Sequence, residues 1–62
     1  PRKINPVHIK SGAIIGPGTI ITAGVTIGKN ALTAVGSVVT QDVPDSCVAA
    51  GNPARVIKKI DE

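Results

Sequence analysis

Written in rows of six from Ile9, the chain reads IKSGAI, IGPGTI, ITAGVT, IGKNAL, TAVGSV and VTQDVP, and its apolar and polar positions fall into columns. The first column holds Ile9, Ile15, Ile21, Ile27, Thr33 and Val39, with Thr33 the one departure from an aliphatic residue. The fourth holds Gly12, Gly18, Gly24, Asn30, Gly36 and Asp42, and the fifth holds Ala13, Thr19, Val25, Ala31, Ser37 and Val43, all small or β-branched. Glycine, asparagine and aspartate tolerate positive φ, so the fourth column marks a tight corner in every row. Only a short strand fits between such corners. First-column side chains then point into a common interior, and the small fifth-column residues fill the space beside each bend. Three sides close a triangular coil of about 18 residues, and coils stacked about 4.8 Å apart make a parallel solenoid whose backbone bonds run along its axis.

Other periodicities fit less well. An amphipathic helix needs apolar residues at a spacing of about 3.6, and seven glycines with five prolines interrupt any such run. An antiparallel sandwich places turns every 8 to 12 residues or so, not every six. The expected organisation is a lead-in over residues 1–8, the repeat over 9–44, and a closing segment over 45–62. The coils are expected to run from Ile9 to Thr26 and from Ile27 to Pro44. Each coil of a solenoid buries its faces only against neighbours, so two and a fraction are few, and further coils are expected on the N-terminal side. Beyond Pro44, Asp45-Ser46 reads as a turn and Cys47 to Ala50 as a last short strand, and Asn52-Pro53 redirects the chain. The tail VIKKI reads as a short strand or turn over the solenoid end, in an otherwise irregular closing segment.

Composition narrows the picture. Valine and isoleucine supply 17 of the 62 residues and leucine only Leu32, a bias toward pleated structure. With no aromatic residue the core must be thin and aliphatic. Cys47 is the only cysteine, which excludes an internal disulfide framework and fits a reducing, cytoplasmic compartment. No apolar run approaches the roughly 18 residues of a membrane span. The net charge of +3 gathers at the two ends, in Arg2, Lys3 and Lys10 and in Arg55, Lys58 and Lys59. Such clusters suit an anionic ligand, although a solvated surface is their ordinary role. Nucleic acid is a poor fit without aromatic stacking residues or a basic stripe.

From Pro6 to Ile60 the chain resembles the C-terminal part of the hexapeptide-repeat acyltransferases, above all the maltose, galactoside and polysaccharide O-acetyltransferases. The strings that carry the resemblance are PVHIKSGAIIGPGTI, GVTIGKNALTAVGSVVTQDVP and AAGNPARVIKKI, the last the most specific. The resemblance implies an all-β, left-handed parallel β-helix of about two to three coils, a homotrimer, and acetyl-CoA as co-substrate in a groove between neighbouring helices. It also implies coenzyme contacts at Pro17, at the main chain of Val35 and Gly36, at Thr40 and Gln41, and at Arg55 and Lys58 near the phosphates. Arginine suits that task because its planar fork binds phosphate through paired hydrogen bonds. Gln41 stands where the family carries a lysine, Ala34-Val35 replaces the common Gly-Ala, and Ile14 takes the place of a frequent tryptophan.

In this family a histidine takes the proton of the attacking acceptor hydroxyl, a task suited to a group that titrates near neutrality. His8 is the only histidine, and it precedes the first hexad, away from the position the resemblance implies for the base. The histidine that serine acetyltransferases keep on the substrate side would fall on Pro6. The base is therefore expected outside these residues, and no catalytic residue is assigned within them. Cys47 has no basic partner in its local sequence and reads as a packed cysteine rather than a nucleophile. A γ-type carbonic anhydrase needs three histidines for its metal, and an ice-binding solenoid needs aligned Thr-x-Thr rows; the chain has neither. A nucleotidyltransferase with a C-terminal solenoid fits the closing GNPAR string less well than an acetyltransferase does. A structural or trimerisation module without catalysis of its own is the main alternative. The acceptor is expected to be a small sugar-like molecule.

Overall fold

The computed structural model describes residues 6–60 and contains, among them, eight strands and no helix. Six are two-residue strands spaced by the hexad: β1 (His8–Ile9), β2 (Ile14–Ile15), β3 (Ile20–Ile21), β4 (Thr26–Ile27), β5 (Leu32–Thr33) and β6 (Val38–Val39). Two longer strands follow, β7 (Cys47–Gly51) and β8 (Ala54–Lys59). Strands three apart in sequence pair in parallel, β1 with β4, β2 with β5 and β3 with β6, which gives a three-sided parallel coil. Face A carries β1 and β4, face B carries β2, β5, β7 and β8, and face C carries β3 and β6.

The corners form where the fourth column puts them. Gly12, Gly18, Gly24, Asn30 and Gly36 all have positive φ, from 57° at Asn30 to 80° at Gly24. With the chain bent there, amides reach the carbonyls of the next coil: Ile14 N donates to Ala31 O at 2.8 Å, Ile20 N to Ser37 O at 2.8 Å and Lys10 N to Ile27 O at 2.9 Å. The first column points inward as expected. Ile27, Thr33 and Val39 are almost fully buried, and Val25, Ala31, Val43, Cys47, Ala49 and Ala54 complete the core.

The sixth hexad departs from expectation. Asp42 does not adopt the positive φ of its column; the next such residue is Ser46 (φ 57°). The stacking offset falls from 18 residues, as between His8 and Thr26, to 16, as between Leu32 and Val48. Val43 therefore bridges Ile27 and stands in the inward first column, not in the corner-filling fifth. Burial explains the change. An 18-residue offset would set the Asp45 carboxylate over Ile27 in the core, whereas the shortened corner sets Val43 there, 3% exposed. Asp42 Oδ1 then accepts the Thr26 amide at 2.8 Å and bridges the coils at the cut corner. Asp45, left outside, accepts the Lys29 amide at 2.8 Å.

The closing segment is more regular than the sequence suggests. The β7 strand continues face B in parallel with β5, and β8 folds back antiparallel on β7 through Asn52-Pro53. It also lies against β6, and buried Ala54 joins the core. The hairpin thus covers the C-terminal end of the apolar stack. At the other end the first described coil has a neighbour on one side only, and Ile9 is 52% exposed.

Close stacking makes one glycine a packing requirement. A β-carbon on Gly16 would lie 2.7 Å from Val35 N and 2.8 Å from Thr33 O, both backbone atoms of the next coil. Gly16→Ala is expected to cost about 1–3 kcal/mol through forced coil separation. A urea titration of both proteins checks this; an unchanged midpoint would contradict the stacking described.

Candidate functional site

The outward residues differ from face to face. Face A presents His8 and Thr26, whereas face B presents Ile14, Leu32 and Val48, and face C presents Ile20 and Val38. Ile14 and Ile20 are each about 60% exposed (61% and 59%). The corner joining faces B and C carries Pro17 and Gly18 in one coil and Val35 and Gly36 in the next. Gly36 N donates to Pro17 O at 2.9 Å across them. The Gly36 amide is thus spent on the ladder, which narrows the expected main-chain contact there to the rest of that turn. Val35 projects from this corner, 71% exposed. A β-carbon on Gly36 would meet nothing within 4 Å, because the chain leaves the coil after β7 and no further turn stacks above it.

All seven residues expected to meet the coenzyme are exposed, and the structure sorts them into groups. Pro17, Val35 and Gly36 share the B–C corner. Thr40 and Gln41 lie at the other end of β6, on the shortened corner between faces C and A. Thr40 stands four positions on from Gly36, so the two groups are at most about 14 Å apart along the backbone. Arg55 and Lys58 lie on β8.

The hairpin register accounts for the placing of that basic pair. Arg55 sits opposite Ala50 and Lys58 opposite Val48, while Val56 sits opposite Ala49 and Ile57 has no partner, a β-bulge. In a regular strand residues three apart point to opposite sides. The extra residue at Ile57 restores the phase and puts Arg55 and Lys58 on one side of the hairpin. Arg55 Nη1 donates to Ala54 O at 3.0 Å, which partly orders the guanidinium. That side of the hairpin is therefore exposed and cationic.

Beneath the B–C corner lies a feature the column reading passed over. Thr33 and Ser37 are buried, and with half-buried Thr19 they form a hydroxyl cluster in an otherwise aliphatic interior. Its signal in the sequence was the polar intruder in the first column together with two fifth-column hydroxyls one coil apart.

His8 and Cys47 lie on different faces of the coil. His8 is exposed on face A, paired across the strands with Thr26. Cys47 is buried at 7% exposure over Ala31, with no hydrogen-bond partner of a kind that would activate it. The described residues of a single chain enclose no pocket. What they offer is a ridge with exposed glycine, threonine and basic residues along it.

Residues 6–41 match the family described as bacterial transferase hexapeptide (six repeats). The chain belongs to this hexapeptide-repeat transferase family. Its fold is the family's left-handed parallel β-helix. A maltose O-acetyltransferase from Clostridium difficile 630 is 57% identical, with a TM-score of 0.89 over 94% of this chain and 31% of that one. A galactoside acetyltransferase in complex with coenzyme A is 46% identical, with a TM-score of 0.90 over 92% of this chain and 28% of that one. A 2,3,4,5-tetrahydropyridine-2,6-dicarboxylate N-acetyltransferase of Staphylococcus aureus (strain JH9) is 47% identical over all 62 residues, which are 26% of its length. The chain thus spans between a quarter and a third of the length of these three relatives.

Burial of Cys47 has a direct consequence. A thiol reagent is expected to modify it only as fast as the fold opens, and at once in urea. Rapid labelling of the folded protein would contradict the packed position.

Proposed function

We propose that these residues form the acetyl-CoA side of an acyltransferase that moves an acetyl group onto a hydroxyl of a sugar or polysaccharide precursor. One observation carries the reading. The same stretch recurs at 46–57% identity in relatives named for a galactoside, for maltose and for N-acetylation of a tetrahydropyridine dicarboxylate. Their acceptors differ, so what they share in this stretch is more economically the donor side. The galactoside relative is seen with coenzyme A, which supports acetyl-CoA as the co-substrate. The sugar acceptor rests on the maltose and galactoside relatives.

In this reading the pantetheine arm runs along the ridge from Pro17, Val35 and Gly36 toward Thr40 and Gln41, and the basic side of the hairpin attracts the phosphates. Attack by the acceptor oxygen on the thioester carbonyl breaks the carbon–sulfur bond and releases the coenzyme as its thiol, which takes up the proton. These residues bind and orient the donor; the base that receives the acceptor proton belongs to residues outside them. A ridge without a pocket needs a second wall, and a neighbouring subunit supplies one. Exposed apolar rows on faces B and C support assembly, since contiguous apolar surface marks a contact region. Cyclic trimers use two different patches of each subunit, so a homotrimer is the assembly proposed. The compartment proposed is the cytoplasm, supported by a lone unpaired cysteine.

Calorimetry with acetyl-CoA at two salt concentrations, beside Arg55→Ala, tests the reading. Binding should weaken with salt, and Arg55→Ala should lower affinity roughly three- to ten-fold through loss of a charge-assisted hydrogen bond. A folded, trimeric protein that ignores acetyl-CoA would favour a structural module instead.

A further inference from the structure

We infer that the hydroxyls of Thr19, Thr33 and Ser37 are positioning residues that hold the B–C corner in shape for the coenzyme; the inference rests on the acetyl-CoA reading above. Thr19 and Ser37 occupy the same column one coil apart, both under this corner. Ser37 Oγ donates to Ala34 O at 2.8 Å, and the same carbonyl accepts the Ser37 amide at 3.3 Å. Thr19 Oγ1 donates to Gly16 O at 2.7 Å, which likewise accepts the Thr19 amide at 3.3 Å. Thr33 Oγ1 joins the two coils, 3.3 Å from Thr19 Oγ1 and accepting from Gly16 N at 3.3 Å. Each turn carbonyl at this corner is therefore held by an amide and a hydroxyl of one residue, and Ala34 O also lies 3.2 Å from Thr19 Oγ1 of the neighbouring coil.

At the other described corners no hydroxyl reaches a turn-closing carbonyl; Thr22 Oγ1, at the C–A corner, joins its own amide on the strand carbonyl Val39 O instead, at 3.3 and 3.0 Å. There the amides of Ala13, Val25 and Ala31 alone close the turns, onto Lys10 O, Thr22 O and Gly28 O at 3.2–3.4 Å. Fully buried Ala31 shows that alanine fills the column without a hydroxyl. A buried hydroxyl exchanges bonds with water for bonds with protein and gains little net stability, so folding alone does not call for three of them at one place. What they add is geometric. The turn from Ala34 to Ser37 is fixed at three points: Ala34 N on Ala49 O at 2.9 Å, Gly36 N on Pro17 O at 2.9 Å, and Ala34 O under Ser37. Its outer surface carries Val35 and the open side of Gly36. A contact surface set before the ligand arrives avoids the entropy of ordering it on binding.

The test is calorimetry with coenzyme A on the full chain, at a temperature where every variant is folded by circular dichroism. Thr19→Val with Ser37→Ala removes both donors at nearly constant shape and should weaken binding roughly five-fold or more. Thr19→Ser, which keeps the hydroxyl, should bind as the parent does. Asp45→Ala breaks a coil-to-coil bond at another corner and should lower the melting temperature without changing affinity. If the double variant does not fold, Ser37→Ala alone carries the comparison, since alanine already occupies that column at Ala31. Unchanged affinity in the hydroxyl variants would overturn the inference and leave the acetyl-CoA reading standing. An equal loss in Asp45→Ala would overturn it too, by showing that stability alone sets affinity. A parent chain that binds no coenzyme would remove both.

Discussion

Everything in this fold depends on the ladder of backbone hydrogen bonds between coils, and the ladder exists only because the chain turns sharply at short intervals. A two-residue strand buries almost nothing by itself. Stacked on its counterpart in the next coil, it pairs its amides and presents one side chain to a common interior. Positive φ at Gly12, Gly18, Gly24, Asn30 and Gly36 makes the stacking possible, and bare α-carbons such as that of Gly16 let the coils close to bonding distance. The burial of Ile27, Thr33 and Val39 follows from that geometry, as does the half-exposed state of Ile9, which has a coil on one side only.

The corners and the inward column were legible in the sequence because each rests on a local residue preference repeated many times. Features that depend on a conflict between local and global demands were not. The sixth hexad looks regular, yet strict continuation would drive Asp45 into the core; the chain drops two residues from a corner and keeps the apolar stack intact. No six-residue window contains that information, since it depends on what lies a full coil below. The bulge at Ile57 is similar. It arises from the pairing of β8 with β7, and without it Arg55 and Lys58 would lie on opposite sides of the strand. The resemblance implies one task for both residues, and the register sets them on one side of the hairpin.

The proposed site draws on the rigid scaffold in the same way. A long, flexible, anionic ligand needs a surface that does not rearrange, and a corner tied to the coils on either side of it provides one. The polar intruder Thr33 is a case in point. It breaks the aliphatic column, but its hydroxyl ties the coils together beneath the exposed turn. Departures from a regular pattern at such points are where a repeat protein is expected to carry its function.

The most direct test of the account is a map of amide chemical shifts as coenzyme A is added to the isotope-labelled protein. The account predicts that the largest changes fall at Val35–Gly36, Thr40–Gln41 and Arg55–Lys58, with His8 and Thr26 on face A unmoved. Changes centred on face A, or spread without regard to the B–C corner, would contradict it.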